Sequence, residues 1–326
     1  MFRPAPELAL GKKLELGVEM PGRTHWDAVL DRLQTTALVE VGRRLQVDVS
    51  EASLVHLQSN LVVALPAARL VVRVAGAGSL DAVSSSVEVT RWLRSCGFPC
   101  VEPVGSPFLW EDKVLSAWKL LDLDADRPPS GSELGQVLRQ LHDQAPPPFE
   151  LRRLTDPLSD AAAAVNSPTG MAEGDRRWLS GRIGQMRRHW EELAPAQTRG
   201  LIHGDAHPGN LFRLQWGGGL VLGDWDGVSL GPREWDLVQI HYFARRFKRY
   251  DESDLEQFTQ SYAWDVRDWE GFEHLMLLRE IYSLSSYIWR AATEPWARDE
   301  VAHRVQTLRE GDATAAWNSP QRQPWR

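Results

Sequence analysis

The chain has 326 residues, of which 43% are hydrophobic and 25% charged, and this composition is typical of a globular protein with one large or two medium domains. Its 37 basic and 44 acidic residues give a net charge of −7, so no overall basic field attracts nucleic acid or an anionic membrane. Two cysteines and no apolar run of roughly 18 residues exclude a disulfide-rich scaffold and predict a cytoplasmic chain without a membrane span.

The N-terminal part of the chain is predicted to form a small sheet with one central helix. A Pro- and Gly-rich arm covers residues 1–24, and a helix-like stretch follows at 25–45. Short β-branched runs separated by turn residues predict strands, and an amphipathic stretch among them predicts a helix. We expect strands at 54–57, 61–65, 70–75, 101–104 and 114–120, and the helix at 84–95.

A polar, proline-bearing connector at 122–129 separates this part from a mainly helical remainder. Ser132 is predicted to cap the first helix after the connector. Residues 200–236 interrupt the helical pattern with two apolar runs, each of which leads into a polar cluster. The predicted helices include 176–193, 252–263 and 272–292, and the predicted domains are 1–121 and 122–326.

Two motifs in this interruption contain the side chains that phosphoryl transfer requires. Residues 201–212 read LIHGDAHPGNLF, and residues 221–226 read VLGDWD. Phosphoryl transfer needs a carboxylate near the attacking hydroxyl and oxygen ligands for the Mg²⁺ that bridges the phosphates. Asp205 can supply the carboxylate, and Asn210 and Asp224 can supply the ligands. The Asp-x₄-Asn spacing, followed by a strand and a further Asp, is that of a kinase catalytic loop and its metal-binding Asp.

Together with VSLGPREWDL at 228–237, these motifs resemble those of the aminoglycoside phosphotransferase family, which includes choline-kinase-like enzymes. The resemblance implies an α+β, bilobal protein-kinase-like fold, with a small antiparallel-sheet lobe that binds the nucleotide and a larger helical lobe that binds the substrate. It also implies that Asp205 is the catalytic base and that Asn210 and Asp224 hold Mg²⁺. Structural or positioning roles near the site are implied for His203, His207, Asp226 and Asp236.

ATP is the expected phosphate donor, and GTP is an alternative that the sequence leaves open. A cation on the third strand should face the phosphates, and Arg73 stands there with Glu88 as its predicted partner. The alternative is that these two form only a surface ion pair, worth about 0–1 kcal/mol. No GxGxxG loop precedes this strand, so Ser59 in the turn is the candidate phosphate contact. Trp118 is predicted either to stack on adenine or to lie between the lobes.

The acceptor is predicted to be a small molecule with a hydroxyl group, such as an aminoglycoside, a sugar or a nucleoside. Only twelve residues run from Asp224 to Asp236, which leaves no room for the activation segment of a protein kinase. Acidic residues are frequent between 251 and 280, where they would suit a cationic acceptor, and Glu280 and Trp289 are candidate substrate contacts. A catalytically inactive binding protein on the same fold is the alternative. The resemblance leaves antibiotic resistance, biosynthesis and housekeeping metabolism open as roles, and the sequence indicates no oligomeric state.

Overall fold

The computed structural model describes residues 36–57 and 61–319. The predicted arm at 1–24, most of the helix-like stretch at 25–45, and Ser59 lie outside these residues. The expectations for those segments stay predictions.

A five-stranded antiparallel sheet forms the smaller part of the fold. Its elements, with the helix that precedes it, are α1 (Leu38–Leu45), β1 (Ser53–Leu57), β2 (Leu61–Leu65), β3 (Leu70–Gly76), β4 (Pro103–Trp110) and β5 (Lys113–Lys119). The strand order is β1-β2-β3-β5-β4. β-Branched and other apolar residues alternate along the central strands, so one face of the sheet is apolar and packs against α1. The opposite face carries Arg73, with Ser116 directly across from it and Trp118 two residues further along β5.

One strand extends further than the sequence predicts. The strand expected at 101–104 is β4, which continues through Gly105, Ser106 and Pro107 to its end. These three residues are typical of a turn, but β4 lies at the edge of the sheet, where glycine and proline are tolerated.

One helix packs both against the sheet and into the core of the helical part. It is α2 (Leu80–Ser95), which begins before the predicted residue 84 because a 3₁₀ turn at Ala77–Ser79 leads directly into it. Val83 near its start packs against the sheet. Val89 and Leu93 in its second half belong to the core of the helical part instead.

The remainder of the chain is mainly helical and encloses two short antiparallel strand pairs. Its elements are α3 (Gly131–His142), α4 (Ser159–Asn166), α5 (Glu173–Glu192), β6 (Gly200–Ile202), β7 (Leu211–Arg213), β8 (Leu220–Leu222), β9 (Ser229–Gly231), α6 (Glu234–Phe247), α7 (Glu252–Tyr262), α8 (Phe272–Tyr282), α9 (Leu284–Ala291) and α10 (Pro295–Glu310). β6 pairs with β9, and β7 pairs with β8. The predicted α+β class, with a small antiparallel sheet and a larger helical part, is confirmed.

The start of α3 and the extent of the helix expected at 272–292 differ from the predictions. The N-cap of α3 is Ser130 rather than Ser132, because Glu133 completes a capping box with Ser130 through reciprocal hydrogen bonds. The single helix expected at 272–292 is two helices, α8 and α9. They meet at Ser283, whose hydroxyl donates to a carbonyl of the preceding turn.

The described residues contain no helix that is long and apolar enough to cross a membrane. Both cysteines are free, with Cys96 exposed and Cys100 buried. Burial raises the pKa of the Cys100 thiol to about 12, so this side chain is an inert packing residue.

Candidate active site

The two sequence motifs end in loops that meet at a pair of glycines. β6 leads into residues 203–210, and β8 leads into residues 223–228. Gly204 has a φ of +88°, and a Cβ at this residue would lie 2.3 Å from the carbonyl oxygen of Gly227. Glycine alone tolerates both this backbone conformation and this contact. The glycine of the first motif therefore allows the two polar loops to come together.

A buried carboxylate holds the backbone of the first loop. Asp236, in the first turn of α6, accepts hydrogen bonds of 2.7 Å from the backbone N–H groups of His203 and Gly204. His142 Nε2 lies 3.2 Å from the same carboxylate, and His142 Nδ1 lies 2.8 Å from the Tyr262 hydroxyl. Burial acts to raise the pKa of Asp236, but the hydrogen bonds from His142 and His203 hold that pKa below its usual value. Asp236 is therefore ionised and braces the loop.

His203 joins the two loops from inside the core. The side chain is fully buried, its Nε2 donates to the carbonyl of Gly223 at 2.8 Å, and its Nδ1 accepts from the backbone N–H of Asp205 at 3.3 Å. Its ring packs edge-on against Trp225, with centroids 4.7 Å apart. Both ring nitrogens form hydrogen bonds to the backbone of the two loops, so neither is open to a ligand.

The Asp205 carboxylate is held through only one of its two oxygens. Oδ1 accepts from Arg279 Nη2 and from Gln239 Nε2, both at 2.7 Å. Oδ2 accepts no hydrogen bond from the described residues, and it lies 4.0 Å from His207 Nε2. The side chain is 42% exposed, and the backbone carbonyl of Asp205 accepts from Asn210 Nδ2 at 2.9 Å. The arrangement leaves Oδ2 available to a hydroxyl group.

His207 borders this available oxygen. Its Nδ1 accepts from the backbone N–H of Gly209 at 3.0 Å, so the hydrogen of the neutral ring is on Nε2, the atom that faces Asp205. Burial lowers the pKa of His207 to about 4, and the positive charges of Arg279 and Arg249 contribute to the lowering. His207 is therefore neutral at physiological pH and offers an N–H donor beside the carboxylate.

The second motif places two carboxylates opposite the cation of the sheet. Arg73 Nη1 and Nη2 donate to the Asp226 carboxylate at 3.0 and 2.5 Å, and Arg73 Nη2 lies 3.6 Å from Asp224 Oδ1. The cleft walls desolvate Asp224, and the negative charges of Asp226 and Asp205 add to this effect. The pKa of Asp224 is consequently raised, although Arg73 opposes the shift.

The expected pairing of Arg73 with Glu88 does not occur. Glu88 lies on the exposed side of α2, and no hydrogen bond or ion pair joins it to Arg73 within the described residues. Arg73 instead reaches across from the sheet to Asp226, because that carboxylate and Asp224 lie directly opposite its strand. A role for Glu88 toward the nucleotide stays a prediction with no contact to support it.

Trp118 is on the same sheet face as Arg73 and is 6% exposed. Its Nε1 donates to Ser116 Oγ at 3.0 Å, which fixes the orientation of the ring. This position is compatible with both roles expected for it, stacking on adenine and packing between the lobes.

The two residues predicted to contact the substrate do not reach Asp205. Glu280 is 3% exposed and forms a buried ion pair with Arg246 at 2.6 Å, so it is not open to a ligand. Glu280 lies on the core side of α8. The sequence does not indicate this, because a charged residue is normally expected on the exposed side of a helix. Trp289 is on α9, where about half of its side chain is exposed.

Arg279 and Gln239 contact Asp205 directly, although neither residue belongs to a sequence motif. Gln239 follows Asp236 by almost one turn of α6. A polar residue on the buried side of a helix needs a hydrogen-bond partner, and this pattern could have indicated that Gln239 contacts the site. Arg279 precedes Glu280 on α8 and is 74 residues from Asp205, so no local pattern connects the two.

The residues present fit a magnesium ion. Asn210 uses its amide nitrogen on the Asp205 carbonyl, which leaves its side-chain oxygen as a ligand. Desolvation raises the pKa of Asp224, and the negative charges of Asp226 and Asp205 raise it further; a divalent cation would relieve that repulsion. The described residues contain no group of three or more His, Cys, Asp or Glu side chains that could hold a metal. Mg²⁺ needs fewer, because phosphates and waters complete its coordination.

Comparisons with known proteins identify the family and the fold. Residues 52–275 match the model of the phosphotransferase enzyme family. A search of curated protein sequences finds no match to the chain.

Several solved structures share the fold. An amicoumacin kinase in complex with AMP-PNP, Ca²⁺ and Ami has a TM-score of 0.68 at 12% identity, over 90% of this chain and 98% of that one. A spectinomycin phosphotransferase in complex with ADP and spectinomycin has a TM-score of 0.58 at 15% identity, over 83% and 93%. A choline kinase from Streptococcus pneumoniae has a TM-score of 0.57 at 14% identity, over 87% and 100%. The predicted kinase-like fold is thereby confirmed.

Proposed function

Because the chain belongs to the phosphotransferase enzyme family, we propose that it uses ATP and Mg²⁺ to phosphorylate a hydroxyl group of a small molecule. The observation that carries this proposal is the Asp205 carboxylate. Arg279 and Gln239 hold one oxygen of this group, and the other is open beside Asn210 and the Asp224 loop. This is the placement that a base for an incoming hydroxyl requires.

The proposed reaction is a direct in-line transfer. Asp205 Oδ2 orients the acceptor hydroxyl and accepts its proton as the hydroxyl oxygen bonds to the γ-phosphorus. The bond from that phosphorus to the β–γ bridging oxygen breaks, and ADP leaves. When bound, Mg²⁺ neutralises charge on the phosphates. Asn210 and Asp224 would hold the ion, and Asp236 and His203 keep the loop in place.

We propose that the nucleotide lies against the sheet face that carries Arg73 and Trp118. Arg73 is always charged and can form two parallel hydrogen bonds to a phosphate, as it does to Asp226. ATP is the preferred donor in this proposal, and competition between ATP and GTP tests the preference.

The charges near Asp205 favour a neutral or anionic acceptor over a polycation. Arg279 touches the carboxylate, and Arg249 lies 5.0 Å from the ring centroid of Phe243, which in turn packs on His207. Arg152 donates to backbone carbonyls of the second motif loop. The guanidinium groups of Arg249 and Arg152 therefore lie near the two motif loops, in addition to Arg279, whose charge is paired with Asp205.

The acidic residues that suggested a cationic acceptor are largely engaged elsewhere. They cap α7 or pair with arginines of neighbouring elements, so their charges are neutralised locally. The residues concerned are Asp251, Glu252, Asp254, Asp265, Glu273 and Glu280. The exceptions are the exposed residues Glu256, Asp268 and Glu270, which form no ion pair within the described residues.

The test is ATP consumption with Mg²⁺ across a panel of sugars, nucleosides, choline and aminoglycosides, with Asp205→Asn as the control. A hit that the variant loses supports the reaction class and identifies the acceptor class. Absence of any stabilisation by ATP with Mg²⁺ would instead support the catalytically inactive alternative.

A further inference from the structure

We propose that Arg279 is a positioning residue that fixes the Asp205 carboxylate so that Oδ2 alone meets the acceptor hydroxyl. This inference rests on the proposed function, because it concerns the base of that reaction. It assigns a role in the site to a residue on α8, far from both motifs in the sequence.

The hydrogen-bond geometry at Asp205 supports this role. Arg279 Nη2 and Gln239 Nε2 both donate to Oδ1 at 2.7 Å, and Arg279 Nη1 donates to the carbonyl of Gly204 at 3.1 Å. One guanidinium group thus contacts the side chain of Asp205 and the backbone that precedes it. A carboxylate with both donors on the same oxygen cannot turn about its terminal bond without breaking a charge-assisted hydrogen bond.

The burial of Arg279 also supports this role. The side chain is 2% exposed, and its guanidinium carbon lies 4.9 Å from the ring centroid of Trp235 and 4.8 Å from that of Tyr282. A guanidinium group keeps its charge even when buried, so it needs an anionic partner. Within the described residues, Asp205 is the carboxylate that forms an ion pair with it.

The helices that carry the two donors hold them in fixed positions. Glu280, the next residue on α8, forms a buried ion pair with Arg246 of α6. Gln239 is also on α6, as is the loop-bracing Asp236. The two helices are therefore joined beside the site, and their side chains reach Asp205 from fixed positions. A reacting group supported in this way keeps its geometry, and a displacement of about 1 Å can reduce turnover by about 10²-fold.

The experiment compares Arg279→Met and Arg279→Lys with the control Arg245→Met. Arg245 also joins α6 to α8, through Glu273, but this pair is exposed. We measure kcat and KM for ATP, with the acceptor from the panel or with water as acceptor, and the Kd of Mg²⁺-ADP. We expect Arg279→Met to lower kcat by about 10²-fold with unchanged KM and Kd, Arg279→Lys to restore part of the loss, and Arg245→Met to match the wild type.

A merely structural role for Arg279 would give a different result. In that case kcat, KM and Kd would change together, or Arg279→Lys would be no better than Arg279→Met. Either outcome overturns the proposal, as does a kcat for Arg279→Met within about threefold of wild type.

A stability cycle tests the pairing without any turnover. Asp205→Ala leaves a buried cation without its partner, so we expect the variant to have a lower Tm than the wild type. Adding Arg279→Met to Asp205→Ala should return part of that loss. Strictly additive Tm changes would show that the two side chains do not depend on each other. Failure of the proposed function would appear separately, as a wild type that Mg²⁺-ATP does not stabilise.

Discussion

Asp205 combines two requirements that normally conflict, a fixed orientation and an accessible oxygen. Its Oδ1 is engaged by Arg279 and Gln239, whereas Oδ2 is open to the cleft. Asp205→Asn keeps an oxygen for both donors but removes the charge and the base. We expect turnover to fall by about 10²- to 10⁴-fold while the Kd for Mg²⁺-ATP stays the same. Measuring kcat and Kd side by side checks this, and equal losses in both would contradict the role of Asp205.

Asp224 has a different role, because its carboxylate is the proposed metal ligand. Asp224→Ala should make nucleotide affinity nearly independent of Mg²⁺, since the protein then offers only Asn210 to the ion. Titration of ADP with and without Mg²⁺ measures the effect. An unchanged dependence on Mg²⁺ would refute the assignment. Asp226→Ala is the matched comparison. It removes the ion pair with Arg73, and we expect the Mg²⁺ dependence of ADP binding to change less than in Asp224→Ala.

His241 gives the fold a pH dependence that is separate from the site. It is 4% exposed between the rings of Phe258 and Phe272. Burial lowers its pKa to about 4, and the charge of Arg267 adds to the lowering. Between the unfolded value near 6.5 and this folded value, the unfolded chain binds a proton that the folded chain does not, so stability falls as the pH falls.

The matching measurement is urea unfolding of the wild type and of His241→Leu at about pH 7 and about pH 5. The wild type should lose about 2 kcal/mol more than the variant between these two pH values. Equal losses in the two proteins would show that His241 does not titrate in this window.

At the scale of elements, the contact between the two motif loops depends on Gly204. Alanine there meets the carbonyl of Gly227 and also requires a left-handed backbone. Gly219, on the β7–β8 hairpin, has a similar φ of +86° but nothing near its missing Cβ. We expect Gly219→Ala to cost about 1 kcal/mol and Gly204→Ala several times more, measured by urea unfolding. Similar losses for the two variants would show that the close contact has little effect.

The sequence predicted the elements best where a pattern is local. The strands that became β2 and β3 have clear β-branched runs, and their bounds are almost those expected. The predicted end of β4 is wrong, because an edge strand tolerates the turn-forming residues that suggested an earlier end. The capping residue of α3 was misplaced because Ser130 and Ser132 are both acceptable caps, and the position of Glu133 decides between them.

The residues of the candidate site could likewise be predicted only where they belong to a local sequence pattern. Asp205, Asn210 and Asp224 belong to compact motifs, and the fold brings their loops together. Arg279 could not be found this way, since its contact with Asp205 depends on how α8 packs against α6. The partner of Arg73 was mispredicted for the same reason, because the choice between Glu88 and Asp226 is made by the tertiary fold.

At the scale of the whole molecule, the charge around the acceptor side should select among substrates. For any acceptor that exists as a free amine and as its N-acetylated form, such as glucosamine and N-acetylglucosamine, we expect a higher kcat/KM for the neutral form. Arg249→Glu should narrow or reverse this preference, whereas Arg245→Glu should not, because the charge of Arg245 is paired with Glu273. A preference of the wild type for the amine would contradict the electrostatic argument.

The division of α2 between two cores has a consequence for motion. Its second half is packed with Val89 and Leu93 into the helical part, and the chain that follows it bonds to β8 through Val101. The sheet contacts α2 near Val83, and Arg91 in the second half of α2 donates to the carbonyl of Gly105 in β4. The helix is therefore attached to both parts of the fold. If the cleft opens and closes on a nucleotide, the sheet cannot rotate without either carrying α2 along or breaking the contact between α2 and β4.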